Sequence, residues 1–295
     1  MHRRKKEIIH FWGIDMIVEL LAAIIIGLLF HGIHRKVIAR LQRRPGPPVW
    51  QEILHTMKFA FKETWIPKTA SQEMFVAIVL VAIAIWSLAL YIGLSGGSLL
   101  LIFAIYLLHK IVEHGMGLSS GSPYGKFGAI RSVISASSEI PLLATVAVIY
   151  FFTGTLQISE IVTWQGVHGP LLILAFPAAL AMYVVVLSKM PYSPFGIIEA
   201  KELVSGNRTE HFGVWRAGLE VAFAIKTFVL LYIFVVIFVG ALSPVVMLIA
   251  MLILLLSFSF ICSFSAMLSP YDAVTVQVMI ISIIAVYILV LGVAA

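Results

Sequence analysis

The sequence predicts an all-α membrane protein with about eight transmembrane helices and one amphipathic helix at the membrane surface. Hydrophobic residues make up 61% of the 295 residues, charged residues make up 12%, and the mean hydropathy is +1.06. Soluble domains carry roughly 25% charged residues, so this chain lies outside that class. Apolar runs long enough to cross a bilayer recur along the whole chain, and no linker divides it. We therefore treat residues 1–295 as a single integral membrane domain.

The predicted spans follow from run length, because a helix needs about 20 apolar residues to cross a hydrocarbon core of ~30 Å. These runs lie at residues 14–30, 74–93, 98–112, 134–152, 170–187, 219–240, 244–264 and 273–293. No internal repeat of the kind found in many secondary transporters is visible.

The connections alternate in charge. Lys and Arg occur between spans 1 and 2, 3 and 4, and 5 and 6, whereas the connections 2–3, 4–5 and 6–7 contain neither residue. The positive-inside bias therefore places the charged connections in the cytoplasm and both termini outside. The basic run at residues 3–6 opposes this assignment, but the eight Lys and Arg residues of the first connection outweigh it.

The long first connection predicts the amphipathic helix, near residues 50–66. Its apolar residues recur at helical spacing, at Trp50, Ile53, Leu54, Met57, Phe61 and Trp65. The polar residues Glu52, His55, Lys58 and Lys62 fall largely on other faces. Such a pattern is typical of a helix lying in the membrane interface.

Ionisable residues within apolar spans are costly, so each is a candidate for proton or ion coupling. The candidates are Asp15, Glu19, Glu113, Glu139, Glu220 and Lys226. Asp15 and Glu19 share one helix face, where they either hold a proton between them or are both solvated at the outer interface. Glu139 lies two residues before Pro141, so an acid stands beside a break in backbone hydrogen bonding.

Three of these candidates have a structural alternative. Glu220 and Lys226 are six residues apart and need not face each other, so ion pairs with other helices explain them as well as transport does. Glu113, together with His109 and Lys110, is equally consistent with a solvated end of the third span.

Several function classes are excluded. The one cysteine, Cys262, rules out an internal disulfide or a cysteine-ligated cluster held by this chain alone, and it is expected to be a buried apolar residue. His31 and His34 have a spacing that suits a metal, but a third ligand is missing nearby, so a basic interfacial helix end is favoured. No nucleotide-binding or catalytic motif occurs, and nucleic acid is not an expected partner.

Two segments carry a family resemblance. The first reads Arg40-Leu41-Gln42-Arg43-Arg44-Pro45-Gly46-Pro47-Pro48, followed by Gln51, Lys58, Phe59, Lys62, Glu63 and Pro67. The second reads Pro194-Phe195-x-Ile197-x-Glu199-Ala200, followed by Glu202, Leu203, Val204, Gly206, Thr209, Glu210 and Gly213. Together with the stretch from Arg131 to Pro141, these motifs resemble the H subunit of complex I, whose family includes mitochondrial subunit 1 and the matching subunit of membrane-bound hydrogenases.

The resemblance implies a membrane anchor that couples electron transfer to ion movement and holds no cofactor itself. Iron–sulfur clusters and a nickel–iron centre would belong to hydrophilic large and small [NiFe]-hydrogenase-like subunits, and antiporter-like membrane subunits would move protons or sodium. Glu139 would stand at the head of the proton path. The residues expected to contact the redox arm or line the cavity beneath it are His34, Arg35, Arg40, Arg43, Arg44, His55, Lys58, Glu63, Lys189, Glu199, Glu202 and Glu210.

The chain also departs from the family pattern. The departures are His34, His55, Lys189, Tyr192 and Gly196, and a stretch from Pro194 to Gly206 that is one residue shorter than in quinone enzymes. They favour a ferredoxin-driven hydrogenase or sulfane sulfur reductase over a quinone-reducing complex. A stand-alone secondary transporter is the competing interpretation from another class.

Overall fold

The computed structural model describes residues 16–136, 139–199 and 207–294. For Glu139, Glu199 and residues 291–294 it describes the backbone only. The long helices in this part of the chain are α1 Met16–Leu41, α3 Gln72–Leu94, α4 Leu99–Ser119, α10 Val214–Phe238, α11 Pro244–Phe264 and α12 Pro270–Ala294. The shorter helices are α2 Gln51–Ala60, α5 Pro123–Ser135, α6 Glu139–Thr153, α7 Ile158–His168, α8 Leu171–Leu174 and α9 Phe176–Ser188. A 3₁₀ turn lies at Ile197–Glu199.

The helical membrane fold predicted from the sequence is confirmed. Within the described residues, seven helical stretches are long and apolar enough to cross a membrane, and one of them joins α5 and α6 over Pro123–Thr153. The predicted fifth span is instead broken into α8 and the 13-residue α9. Pro177, in the first turn of α9, cannot donate to the preceding turn. The Tyr287 hydroxyl donates to the Leu174 carbonyl at 2.9 Å and so satisfies one carbonyl at the break.

Helix α10 is the centre of the bundle. About 94% of its most apolar stretch is buried within the protein, and it packs against α1, α3 and α11. The backbones of α1 and α10 approach so closely at Gly27 that a Cβ there would overlap the Ala224 carbonyl group. Small residues of this kind let membrane helices pack at short range.

The connections gather at two opposite ends. At one end, Ser71 N–H donates to Ser119 O at 3.0 Å, Leu268 N–H donates to Pro194 O at 2.8 Å, and Val214 N–H donates to Thr64 Oγ1 at 3.2 Å. At the other end, Ser98 pairs with Gln157 in an antiparallel bridge. The charged connections predicted to share one side therefore lie together.

The predicted surface helix is present but shorter than expected, because α2 ends at Ala60 rather than near residue 66. Thr64 accepts the hydrogen bond from Val214, and Trp65 packs edge-on against Phe212 at 5.3 Å, so the chain leaves the helix to contact the start of α10. The apolar stripe of Leu54, Met57 and Phe61 is exposed. The predicted connection between spans 4 and 5 contains α7, a helix that the length of the apolar runs does not predict.

Candidate functional site

A polar cavity of about 340 Å³ lies at the charged end of the bundle. Helices α1, α2 and α10, the segment 188–198 and the loop 207–209 contribute its walls, and Glu113 of α4 reaches it from below. Among the described lining residues there are five cationic and three acidic side chains, namely Arg35, Lys189, Arg208, Arg216 and Lys226 against Glu52, Glu113 and Glu220. The other polar lining residues are His31, His55, Ser188, Tyr192, Asn207, Thr209 and Thr227.

Helical spacing explains how α1 and α10 present these groups. His31 and Arg35 are four residues apart, and Arg216, Glu220 and Phe223 follow at steps of four and three, so each set shares one face. The Arg216 guanidinium lies 2.7 Å from the Glu220 carboxylate. His31 Nε2 lies 2.7 Å from Thr227 Oγ1, which joins α1 to α10 across the cavity wall. Glu220 therefore pairs with Arg216, on the same helix, and not with Lys226.

Below the cavity lies a buried ion cluster centred on Glu113, which is 6% exposed. Lys110 Nζ donates to Glu113 Oε2 at 2.7 Å, and His109 Nε2 lies 3.2 Å from Oε1. Lys226 Nζ of α10 lies 4.0 Å from the same Oε1 and 3.5 Å from His109 Nε2. The alternative in which Glu113, His109 and Lys110 form a solvated end of the third span is wrong. All three residues are buried, and α5 and α10 cover them.

The loop before α10 is anchored next to this cluster. Asn207 Nδ2 donates to the Glu113 backbone carbonyl at 3.1 Å. His211 is buried and stacks on Phe75 with ring centroids 4.2 Å apart. Neither ring nitrogen of His211 has a hydrogen-bond partner among the described residues. Burial, with the nearby Arg216 charge adding to it, lowers the pKa of His211 from 6.5 to about 4.

Six of the residues proposed for ion coupling or arm contact line the cavity: Arg35, His55, Glu113, Lys189, Glu220 and Lys226. The other exposed charges lie outside its wall, at Arg40, Arg43, Arg44, Lys58 and Glu63, and Glu210 is half-buried. Glu19 is buried, so the solvated alternative is wrong for this residue. Asp15 and Glu202 lie outside the described residues, as do the side chains of Glu139 and Glu199.

His34 was named as a contact for the redox arm, but its ring is fully buried. It lies 2.8 Å from Ser259 Oγ and 2.7 Å from the Pro191 carbonyl oxygen, and so joins α1 to α11 and to the segment after α9. The basic interfacial helix end proposed for His31 and His34 is therefore wrong for His34. Cys262 is buried, as expected. Within the described residues, no group of His, Cys, Asp or Glu side chains has a geometry that could hold a metal ion.

The roles of His109 and Arg216 were not predicted from the sequence. The i, i+4 spacing of His109 with Glu113 and of Arg216 with Glu220 was visible and could have indicated two ion pairs. Trp86 Nε1–H donates a hydrogen bond to His109 Nδ1 at 3.1 Å. Sequence spacing could not predict this bond, because the two residues lie on different helices.

A bundle with this hydropathy, a polar cavity at one end and buried charge beneath it defines a multi-pass membrane subunit. The family model described as NADH dehydrogenase matches residues 14–294, and the chain belongs to this family. The resemblance to the H subunit of complex I is thus confirmed.

Three similar proteins illustrate the family. The chain is 46% identical over 266 residues to a putative NADH-ubiquinone oxidoreductase of Methanocaldococcus jannaschii, covering 89% of this chain and 90% of that one. It is 29% identical over 259 residues to the H subunit of the NADH-quinone oxidoreductase of Bacillus cytotoxicus, covering 81% and 76% respectively. A chain of the membrane-bound sulfane sulfur reductase, an archaeal respiratory membrane complex, superposes with a TM-score of 0.82 at 25% identity, covering 92% of this chain and 97% of that one. The protein is therefore a membrane subunit of a respiratory oxidoreductase complex, similar to the H subunit of complex I.

Proposed function

We infer that this subunit anchors a hydrophilic redox arm and couples its electron transfer to ion translocation by antiporter-like membrane subunits. The arm would carry the iron–sulfur clusters and a hydrogenase-type large subunit, and reduced ferredoxin would supply its electrons. This chain would hold no redox cofactor and would respond to the redox event through charge.

The observation that carries the proposal is the continuity between the cavity and the buried cluster. Glu113 and Lys226 line the cavity and also contact His109, which is 1% exposed. A charge change in the cavity therefore acts directly on ionised groups inside the bundle, where low dielectric makes such interactions strong. Buried charges in membrane spans commonly mark such pathways.

The character of the cavity wall supports an electron acceptor other than quinone. Four positions at which the sequence departs from the family pattern line the cavity: His55, Lys189, Tyr192 and Gly196. Two of them, His55 and Lys189, place a basic side chain where the family has an acid. A wall with five cationic and three acidic groups does not suit the long apolar tail of a quinone. A hydrogenase or sulfane sulfur reductase arm is therefore favoured.

The exposed cations beyond the cavity supply a docking surface for the arm on the cytoplasmic side. Arg43 and Arg44 follow α1 at the charged end and are exposed. Charge complementarity at such a rim governs association more than it does folding. The arm would contact these arginines and the loop that contains Glu199, Glu202 and Glu210.

Glu139 is proposed as the acid through which electron transfer in the arm is coupled to the antiporter-like subunits. Its backbone begins α6, and Pro141 lies in the first turn of the same helix. Glu139→Gln keeps the shape and removes the charge. We expect the variant to assemble with its clusters intact and to lose ion uptake in vesicles, and uptake at the wild-type rate would make Glu139 a structural acid.

Co-purification tests the proposal as a whole. An affinity-tagged chain extracted from native membranes should bring with it iron–sulfur proteins and antiporter-like subunits, identified by mass spectrometry. Arg43→Glu with Arg44→Glu should release the arm at moderate salt, whereas the control Glu160→Lys, at the opposite end, should retain it. A chain that purifies alone and transports ions would be a secondary transporter. Quinone reduction by the intact complex would instead identify the quinone-type enzyme.

A further inference from the structure

The buried carboxylate of Glu113 already has two close donors. Lys110 Nζ lies 2.7 Å from Oε2 and also donates to Ser135 Oγ at 2.8 Å, so its ammonium is held in place. His109 Nε2 lies 3.2 Å from Oε1. Charge-assisted hydrogen bonds of this length keep a carboxylate ionised. Lys226, at 4.0 Å, is thus the most distant cation of the cluster and is not needed to hold Glu113 in its charged form.

Trp86 fixes the protonation of His109. An indole N–H can only donate, so the bond from Trp86 Nε1 to His109 Nδ1, at 3.1 Å, requires an unprotonated Nδ1. A neutral imidazole then carries its hydrogen on Nε2, where it donates to Glu113 Oε1. The ring is also held edge-on against Trp86, with centroids 5.2 Å apart.

This tautomer of His109 determines which group faces the Lys226 amine. Its Nζ lies 3.5 Å from His109 Nε2, so a protonated Lys226 presents N–H donors to another N–H donor. A neutral amine would instead accept from Nε2 with its lone pair. The cluster of Glu113, Lys110 and Lys226 carries a net positive charge when Lys226 is protonated and is neutral when it is not. Both effects favour the amine.

Other contacts favour the ammonium. Lys226 Nζ lies 4.3 Å from the centre of the Phe223 ring, and a desolvated cation gains from such a contact. The Glu113 carboxylate attracts it as well. The remaining charged or titratable groups that line the same cavity among the described residues are His31, Arg35, Glu52, His55, Lys189, Tyr192, Arg208, Arg216 and Glu220. Lys226 is 5% exposed yet lines the cavity, so cavity water can reach a group with contacts that favour each of its two protonation states.

We propose that Lys226 is the proton-exchanging group of this subunit, with Glu113 remaining ionised and Trp86 acting as a positioning residue through His109. In the unloading step an Nζ–H bond of the ammonium breaks, the proton passes to a water molecule in the cavity, and the electron pair stays on Nζ. Reloading reverses the step. This assignment rests on the proposed coupling function and names the residue that carries it.

The test compares three variants in the whole complex: Lys226→Met, Lys226→Arg and Lys226→His. Electron transfer from reduced ferredoxin and ion uptake are measured in the same vesicles. Methionine removes the proton, arginine keeps a permanent charge that does not exchange, and histidine keeps a titratable nitrogen. We expect Met and Arg to reduce uptake at least tenfold with clusters intact, and His to retain more uptake than either. Uptake retained by Arg or by Met overturns the proposal.

Two further comparisons keep the result decisive. If the guanidinium prevents assembly, Met is compared with His alone, and equal uptake by the two contradicts the assignment. Trp86→Phe keeps the ring and removes the donor, so it should slow uptake several-fold, whereas Trp164→Phe near the opposite end should not. Equal uptake by both Trp variants would remove Trp86 from the proposal. A wild-type complex that takes up no ions would instead overturn the proposed function itself.

Discussion

The Arg35 guanidinium lies 2.9 Å from the Glu52 carboxylate, and this ion pair joins α1 to the surface helix α2 at the cavity wall. The Arg35 side chain is 43% exposed and that of Glu52 is 16% exposed. The pair is therefore well placed to set the position of α2 but is open to screening by water and salt.

We predict that the pair contributes modestly to stability. Exposed ion pairs are worth about 0.2–1 kcal/mol. Arg35→Gln and Glu52→Gln should each lower the melting temperature of the purified complex slightly, and the double variant should lower it no further than one single variant does. A double-mutant cycle measured by thermal denaturation tests this. Fully additive losses would show that the two side chains do not interact.

Gly27 provides a sharper packing prediction. Because a Cβ would overlap the Ala224 carbonyl, Gly27→Ala must move α1 away from α10, and overpacking of this kind costs about 1–3 kcal/mol. We expect lower thermal stability and a cavity disturbed at His31 and Thr227. Gly166→Ala is the matched control, since nothing lies within 4 Å of a Cβ there. Equal melting temperatures for the two variants would contradict the observed helix approach.

His211 gives the fold a defined sensitivity to acid. Its pKa in the folded protein is about 4, below the ordinary value of 6.5, so between these pH values the unfolded chain takes up a proton that the folded chain does not. Stability is therefore complete above about pH 6.5 and falls as the pH drops towards 4, by up to about 3 kcal/mol.

His211→Phe removes this proton uptake and keeps the stacking on Phe75. Relative to the wild type, its melting temperature should rise progressively as the pH is lowered from 7.5 to 4.5. His168→Phe is the control, because that histidine is exposed and also stacks on an aromatic ring, that of Trp164. A difference between His211→Phe and wild type that does not change with pH would show that the ring is not buried neutral.

The orientation of the chain remains a prediction from charge. We expect Pro47 to face the cytoplasm and Gly166 to face outside, because the charged connections lie at one end of the bundle. Pro47→Cys and Gly166→Cys, each in a Cys262→Ser background, can be labelled with a membrane-impermeant thiol reagent from one side at a time. Labelling of both positions from the same side would contradict the arrangement of the helices. Labelling from opposite sides, but with Pro47 outside, would reverse the assigned orientation.

Much of the membrane fold was predictable because run length and charge alternation are one-dimensional signals. Pro177 was a local sign of the break at Ala175, but both pieces are apolar, and the hydrogen bond from Tyr287 that satisfies the break comes from a distant helix. The sequence did not show that α2 ends at Ala60, since Trp65 continues the helical stripe while contacting Phe212 on another element.

The site was less predictable than the fold. Glu113, Glu220 and Lys226 were recognised because ionisable residues in apolar runs are rare. Their partners were not recognised, since Lys226 meets Glu113 across 113 positions in the chain and Trp86 meets His109 between neighbouring helices. Local spacing predicts contacts along one helix, whereas contacts between helices require the packed bundle.

Ion uptake driven by electron transfer shows whether Glu113 and the buried cluster couple the two processes. Vesicles that hold the purified complex receive reduced ferredoxin, and electron transfer is recorded together with uptake of protons or sodium. The wild type and the exposed control Glu160→Gln should take up ions in proportion to electron transfer. Glu113→Gln, with its clusters intact, should lose uptake, because Lys110 and Lys226 lose the charge that holds the cluster together. Electron transfer by the wild type without ion uptake, or wild-type uptake by Glu113→Gln, would contradict the account.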